Sequence, residues 1–124
     1  MAGGQAPDSR TQASALRFPV KFTAAAERDL AEAFDYYEGK REGLGVEFIK
    51  RVDEAVEVVA QNPKLHAPVI EDGRRVLLKQ FPFAIWYVVA DDGSVVIGCI
   101  HSKRHERLAA SRIRSINPKG PSPT

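Results

Sequence analysis

The stretch FPFAIWYVVADDGSVVIGCIHSKRHER, Phe81 to Arg107, decides the fold. Phe83, Ile85, Tyr87 and Val89 alternate with Ala84, Trp86 and Val88, so both sets are apolar. A strand with one wet face alternates apolar with polar residues. Apolar residues on both sides mark a central strand covered on both faces, or nearly so. In that setting Trp86 and Tyr87 read as core rather than as platforms for stacking bases. Asp91-Asp-Gly-Ser94 is a hairpin turn of the Asp-Gly kind, and Val95 to Ile100 returns as a second strand. That strand ends abruptly in His101-Ser-Lys-Arg-His-Glu-Arg107, a run of imidazoles and cations at the rim of a core.

Upstream, Arg74-Arg-Val-Leu-Leu-Lys79 opens the first strand of the same meander, after a loop, PKLHAPVIEDG. Before the loop, Phe48, Ile49, Val52, Ala55, Val56 and Val59 form one apolar stripe of a helix from about Val46 to Gln61. Glu47 with Arg51 and Lys50 with Glu54 are i,i+4 pairs on its other face, and Asn62-Pro63 stops it. An earlier helix, AAAERDLAEAFDYYEGK, has Ala26, Leu30, Ala33, Phe34 and Tyr37 at helical spacing, with Tyr36 at the edge. Thr23 suits its N-cap, and Glu27 and Asp29 complement its dipole. It ends near Gly39, and Gly43-Leu-Gly45 makes a tight link, so the two helices should lie antiparallel. Val20 and Phe22 frame Lys21 as a short N-terminal strand. Leu108, Ala109 and Ile113 share a face of a possible short helix over 104–114.

The predicted architecture is α+β: an N-terminal strand, an α-helical hairpin, a three-stranded antiparallel meander and a short C-terminal helix. One domain is expected over 18–114, between disordered tails at 1–17 and 115–124 that are rich in Gly, Ser, Ala or Pro. In a chain this small, the meander face away from the hairpin is expected to stay partly open. Function is sought on that open face.

The 124 residues are 44% hydrophobic and 27% charged, an ordinary balance for one globular domain. The longest apolar run, Phe83 to Ala90, falls well short of the roughly 20 residues a membrane helix needs. The N-terminus lacks the apolar core of a secretory signal. The single cysteine, Cys99, cannot form an internal disulfide. It sits in an apolar alternation and reads as a small buried hydrophobe rather than a nucleophile. These features lead us to expect a cytoplasmic protein with no membrane association.

Charge is unevenly spread. Residues 24–62 hold five Lys/Arg and ten Asp/Glu, a net of −5, whereas residues 73–114 hold eight Lys/Arg and three Asp/Glu, a net of +5. A basic half is the footprint of an anionic partner. Arg74, Arg75, Lys79, His101, Arg104 and Arg107 are the candidate target contacts. His101, Arg104 and Arg75 are also the candidates for metal-free RNA cleavage. There His101 or His105 would act as acid or base, and the arginines would hold the phosphorane charge. Solvated surface, and a strand-end histidine bonded to backbone, are the plainer readings of the same residues. His101-x-x-x-His105 has a zinc-compatible spacing, but only Glu106 stands near to complete a ligand set, and neither a metal nor a cofactor is expected. No phosphate-binding Gly loop or Gly-x-Ser-x-Gly is present.

Taken in order, the segments VKF, AAAERDLAEAFDYYE, GLGVEFIKRVDEAVEVVAQNP, RRVLLKQFPFAIWYVV and VVIGCIHSKRHER resemble the RelE/ParE superfamily of bacterial toxins, also labelled plasmid stabilisation proteins. The double Tyr before Gly-Leu-Gly, the Asn-Pro after the second helix, the Phe-Pro-Phe and the terminal His-x-x-Arg carry the likeness, which spans about 18–114. It implies a cognate antitoxin partner that wraps and neutralises the toxin, by amphipathic helices on the hairpin or an extended segment on the sheet edge. RelE-like members cleave mRNA in the ribosome; ParE-like members poison DNA gyrase without catalysis. Tyr-Tyr-Glu and Gly-Leu-Gly stand closer to the ParE-like branch, and no Tyr follows Tyr87 to serve a nuclease. Leu108-Ala-Ala-Ser stands where many relatives carry a Trp. The resemblance thus implies a gyrase-binding toxin, with a ribosome-dependent mRNA endoribonuclease and an inactive toxin-like binding module as alternatives.

Overall fold

The computed structural model describes residues 17–102 and 106–116. The chain runs β1 (Val20–Phe22), α1 (Ala24–Lys40), α2 (Leu44–Gln61), β2 (Arg74–Leu77), β3 (Phe83–Ala90), β4 (Gly93–His101) and α3 (Glu106–Ile116). The strands form one mixed sheet in the order β1-β4-β3-β2. The three later strands make the expected antiparallel meander, and β1 joins β4 in parallel. The α3 helix runs two residues past the expected domain boundary at Arg114. Arg17, placed in the expected N-terminal tail, pairs with Glu57 at 2.8 Å. The remainder of both expected tails lies outside the described residues.

The helical hairpin is set by local chemistry at its turn. Thr23 Oγ1 accepts from the Ala26 N–H at 3.1 Å and starts α1. At the far end Glu38, in the last turns of α1, accepts from the N–H groups of Gly43 and Gly45, both at 2.8 Å. A helix N-terminus presents N–H donors that lack intrahelical partners, and here a carboxylate from the preceding helix supplies them. That is why α2 begins at Leu44, ahead of the apolar stripe. Gly43 has φ 89°, which suits glycine. A Cβ on Gly45 would come within 2.9 Å of the Phe34 ring and 2.8 Å of Glu38 Oε1.

Tyr37, Phe48, Phe81 and Phe83 pack as an aromatic cluster between the hairpin and the sheet, with Tyr37–Phe81 and Phe48–Phe81 ring centroids 4.7 and 5.2 Å apart. Ile85, Tyr87, Val76, Val96 and Cys99 complete that core from the sheet. The Tyr87 hydroxyl donates to the Pro63 carbonyl at 2.7 Å and pins the loop after α2.

The far face, expected to stay partly open, is covered over its centre and open only at its margin. Trp86, Ala84, Val88, Ile97 and Ile100 form a second core closed by Ala109 and Ile113 of α3, and Trp86 is 1% exposed. The reason lies in β3 itself. A strand apolar on both faces needs two covers, and α3 is the second. What stays open is the outer margin at β2, where Leu77 is 59% exposed.

Candidate functional site

The hydrogen bond from Leu78 N–H to the Phe83 carbonyl, 2.9 Å, fixes the parity of β2. Arg74, Val76 and Leu78 direct their backbone groups toward β3, whereas Arg75 and Leu77 direct theirs to the open edge. Side chains alternate as well. Arg74 and Val76 stand opposite Tyr87 and Ile85 on the hairpin face; Arg75 and Leu77 stand opposite Trp86 and Ala84 on the α3 face.

This alternation splits the residues expected to act together. Arg74 Nη1 donates to the His66 carbonyl at 2.7 Å and braces the loop before β2. Arg75 lies on the other face, its guanidinium 5.4 Å from the Trp86 ring centroid and 3.4 Å from a Glu106 carboxylate oxygen. His101 is back on the hairpin face, its ring 5.5 Å from that of Phe83. Lys79 is exposed just beyond β2, and Arg107 is exposed on α3. Arg104, with Lys103 and His105, lies outside the described residues. A single uncovered cationic patch holding both His101 and Arg75 is therefore not formed: the sheet stands between them. One phosphate cannot touch both, so Arg75 does not serve His101; Arg104, the other arginine of that set, lies outside the described residues. Arg75 and Arg107 remain on the β2 and α3 side, and Lys79 is exposed in the bend between β2 and β3.

His101 instead borders a groove of about 330 Å³ lined by Asp29, Glu32, Tyr36, Phe83, Cys99 and Leu108, among others. Tyr36 is 58% exposed there, as its edge position predicts, and Lys40 Nζ lies 4.9 Å from its ring centroid. Cys99 at the groove floor is buried, and burial together with the Asp29 charge pushes its thiol up to about 12. It is protonated at neutral pH and unsuited to nucleophilic work. Among the described residues no three His, Cys, Asp or Glu side chains gather as a metal site.

One arrangement had no signal in the sequence. Arg112 of α3 and Asp29 of α1 form a two-pronged ion pair, with Nη2 donating to Oδ1 at 3.2 Å and Nη1 to Oδ2. The same Asp29 Oδ2 accepts from the Cys99 N–H at 3.0 Å, and Arg112 Nη1 also donates to the Ile97 carbonyl at 3.1 Å. Partner β1 reaches only Val96, so the pair satisfies backbone groups along the half of β4 that β1 leaves bare. Gly98 makes room: a Cβ there would lie 2.7 Å from Arg112 Nη1.

A family model for the ParE toxin of the type II toxin-antitoxin system parDE matches residues 20–107. Among solved structures, a chain of the chromosomal ParDE TA system from P. aeruginosa superposes with a TM-score of 0.63 at 17% identity, covering 71% of this chain and 99% of that one. At that identity the likeness is one of fold. No curated protein matches. Among the described residues, no helix is long and apolar enough to cross a membrane.

Proposed function

Because the chain belongs to the ParE toxin family of type II toxin–antitoxin systems, with an antitoxin as its implied partner, we propose that it arrests bacterial growth by binding DNA gyrase, without catalysis of its own. The observation that carries this reading is the separation of His101 from Arg75 by the sheet. An acid–base residue and its charge-stabilising arginine must reach one scissile phosphate, and Arg75 faces away from His101, which leaves that role to Arg104 alone. A binding surface makes no such demand. It needs only cations at the surface, and Arg75, Lys79 and Arg107 are the contacts we assign.

Tightly controlled expression of the full chain tests this. The expected result is growth arrest with loss of negative supercoiling in plasmid taken from the arrested cells. Arrest with intact supercoiling and cleaved ribosome-bound mRNA would instead establish the ribonuclease. No arrest would establish a silent binding module.

A further inference from the structure

We propose that Glu106 is an internal stand-in for an acidic side chain of the target: it rests on Arg75 in the free protein, and the incoming carboxylate displaces it. The proposal rests on the toxin reading above. It names the group that Arg75 recognises and the residue that sets how readily it does so.

Arg75 is held in two unequal ways. Its guanidinium lies 5.4 Å from the ring centroid of Trp86, which is fixed in the second core. That aromatic face orients the cation without help from any carboxylate. The other hold is slight. A single donor, Nη1, lies 3.4 Å from one Glu106 oxygen, and the Glu106 side chain is 62% exposed. Charge-assisted bonds of this kind run at about 2.7–2.9 Å, and a well-seated carboxylate takes two of them from one guanidinium.

The other ion pairs of α3 show what a structural one looks like here. Arg112 grips both oxygens of Asp29 and a backbone carbonyl besides. Arg114 directs Nε and Nη2 to Glu71 at 2.9 and 2.8 Å. Glu106 is the only carboxylate within α3, and its contact with Arg75 is the longest of the three pairs. An acid in the first turn suits the helix dipole, which explains its place along α3 but not its reach to Arg75. Of the three assigned target contacts, Lys79 and Arg107 have no carboxylate partner among the described residues, and Arg75 has one. Glu106 therefore occupies a cation that the target needs. Leu77 stands exposed beside Arg75 on the same face. An apolar neighbour suits a protein surface rather than a phosphate backbone, so the displacing group is a side-chain carboxylate. It makes two short bonds where Glu106 makes one long one. Because Trp86 holds the guanidinium, losing Glu106 frees Arg75 without disordering it.

The test has one arm without gyrase and one with it, both on the full chain. In the first, phenylglyoxal modifies accessible guanidinium groups, and mass spectrometry follows each arginine. Glu106→Gln should speed labelling of Arg75 about twofold to fivefold, the range of an exposed ion pair, and leave Arg112 unchanged. Glu106→Asp retracts the carboxylate by one methylene while keeping the net charge, and should give most of that gain. Added salt should speed Arg75 labelling in wild type and not in Glu106→Gln. Unshifted Trp86 emission confirms that α3 stays docked in Glu106→Gln; if it shifts, Glu106→Asp carries the test. In the second arm, the same variants should inhibit gyrase about twofold to fivefold more strongly than wild type. That gain should vanish when Arg75→Gln is also present. Equal labelling of Arg75 in all three proteins would overturn the proposal whether or not the chain inhibits gyrase. So would faster labelling with weaker inhibition, which would make Glu106 a support for α3. A gain that survives Arg75→Gln, or an equal gain in binding a DNA duplex without gyrase, would overturn the carboxylate as the displacing group. Faster labelling with no inhibition by any of the three would keep the masking of Arg75 and sink gyrase as the target.

Discussion

Arg112 and Asp29, 83 residues apart in sequence, form a two-pronged ion pair that ties α3 to α1 across the bare half of β4. Their side chains are 21% and 16% exposed. Removing one partner leaves the other charge poorly solvated and strands a backbone group of β4. Asp29→Ala should therefore cost about 2–4 kcal/mol. A double-mutant cycle of Asp29→Asn and Arg112→Gln, read by urea unfolding, should return a coupling well above that of a surface pair, which is about 0–1 kcal/mol. Additive losses would show the two to be independent.

Trp86 is the chain's only tryptophan, and it is sealed beneath Ala109 and Ile113. Its emission therefore reports the docking of α3. Ile113→Ala should cost about 2–5 kcal/mol by removing buried apolar volume. Ile113→Asp should shift Trp86 emission to the red even where far-ultraviolet circular dichroism is kept. Unshifted emission in a folded Ile113→Asp protein would contradict the docked position of α3.

The Glu38 carboxylate caps α2 from the preceding helix. Glu38→Ala should lower stability by about 1–2 kcal/mol, in the range of other N-cap losses. Gly43→Ala, forced to φ 89°, should cost about 1 kcal/mol through backbone strain alone. Thermal melts of the two single variants and the double decide whether cap and turn act as one unit.

Burial raises the Cys99 thiol to about 12, above the ordinary value near 9. A group whose folded pKa is raised stabilises the fold fully below its unfolded pKa and loses that contribution as pH rises toward the folded value. Stability should thus decline from about pH 9 toward pH 12, with Tyr37 and Tyr87, also raised by burial, adding to the loss above about pH 10. Cys99→Ala should flatten the lower part of that decline. Native protein should resist alkylation at neutral pH, and rapid labelling there would refute the burial of the thiol.

Local pattern carried most of the architecture into the sequence. Helical spacing along 24–61 and the doubly apolar β3 each specify their own element and hold in the structure; the hairpin turn falls where expected, but its loop is Asp91-Asp92 and Gly93 already pairs with Ala90 in β4. The consequence of β3 was legible and its completion was not. Apolar residues on both faces already called for a second cover, yet only two of the five apolar residues on α3, Ala109 and Ile113, are buried. So small a cover gives a weak periodic signal. The site was less legible because it depends on parity. Arg74 and Arg75 are neighbours in sequence and point to opposite faces for that very reason. The Asp29–Arg112 pair depends on long-range geometry that spacing cannot encode.

The most direct measurement is gyrase supercoiling inhibition by the purified full chain, compared among wild type, Arg75→Glu with Lys79→Glu, and His101→Ala. A cationic face binding its target predicts inhibition by wild type that weakens with added salt. It predicts a loss of about tenfold or more in the double charge reversal, and a change within about twofold in His101→Ala, which lies on the other face. Undiminished inhibition by the double variant, or inhibition abolished by His101→Ala alone, would contradict it.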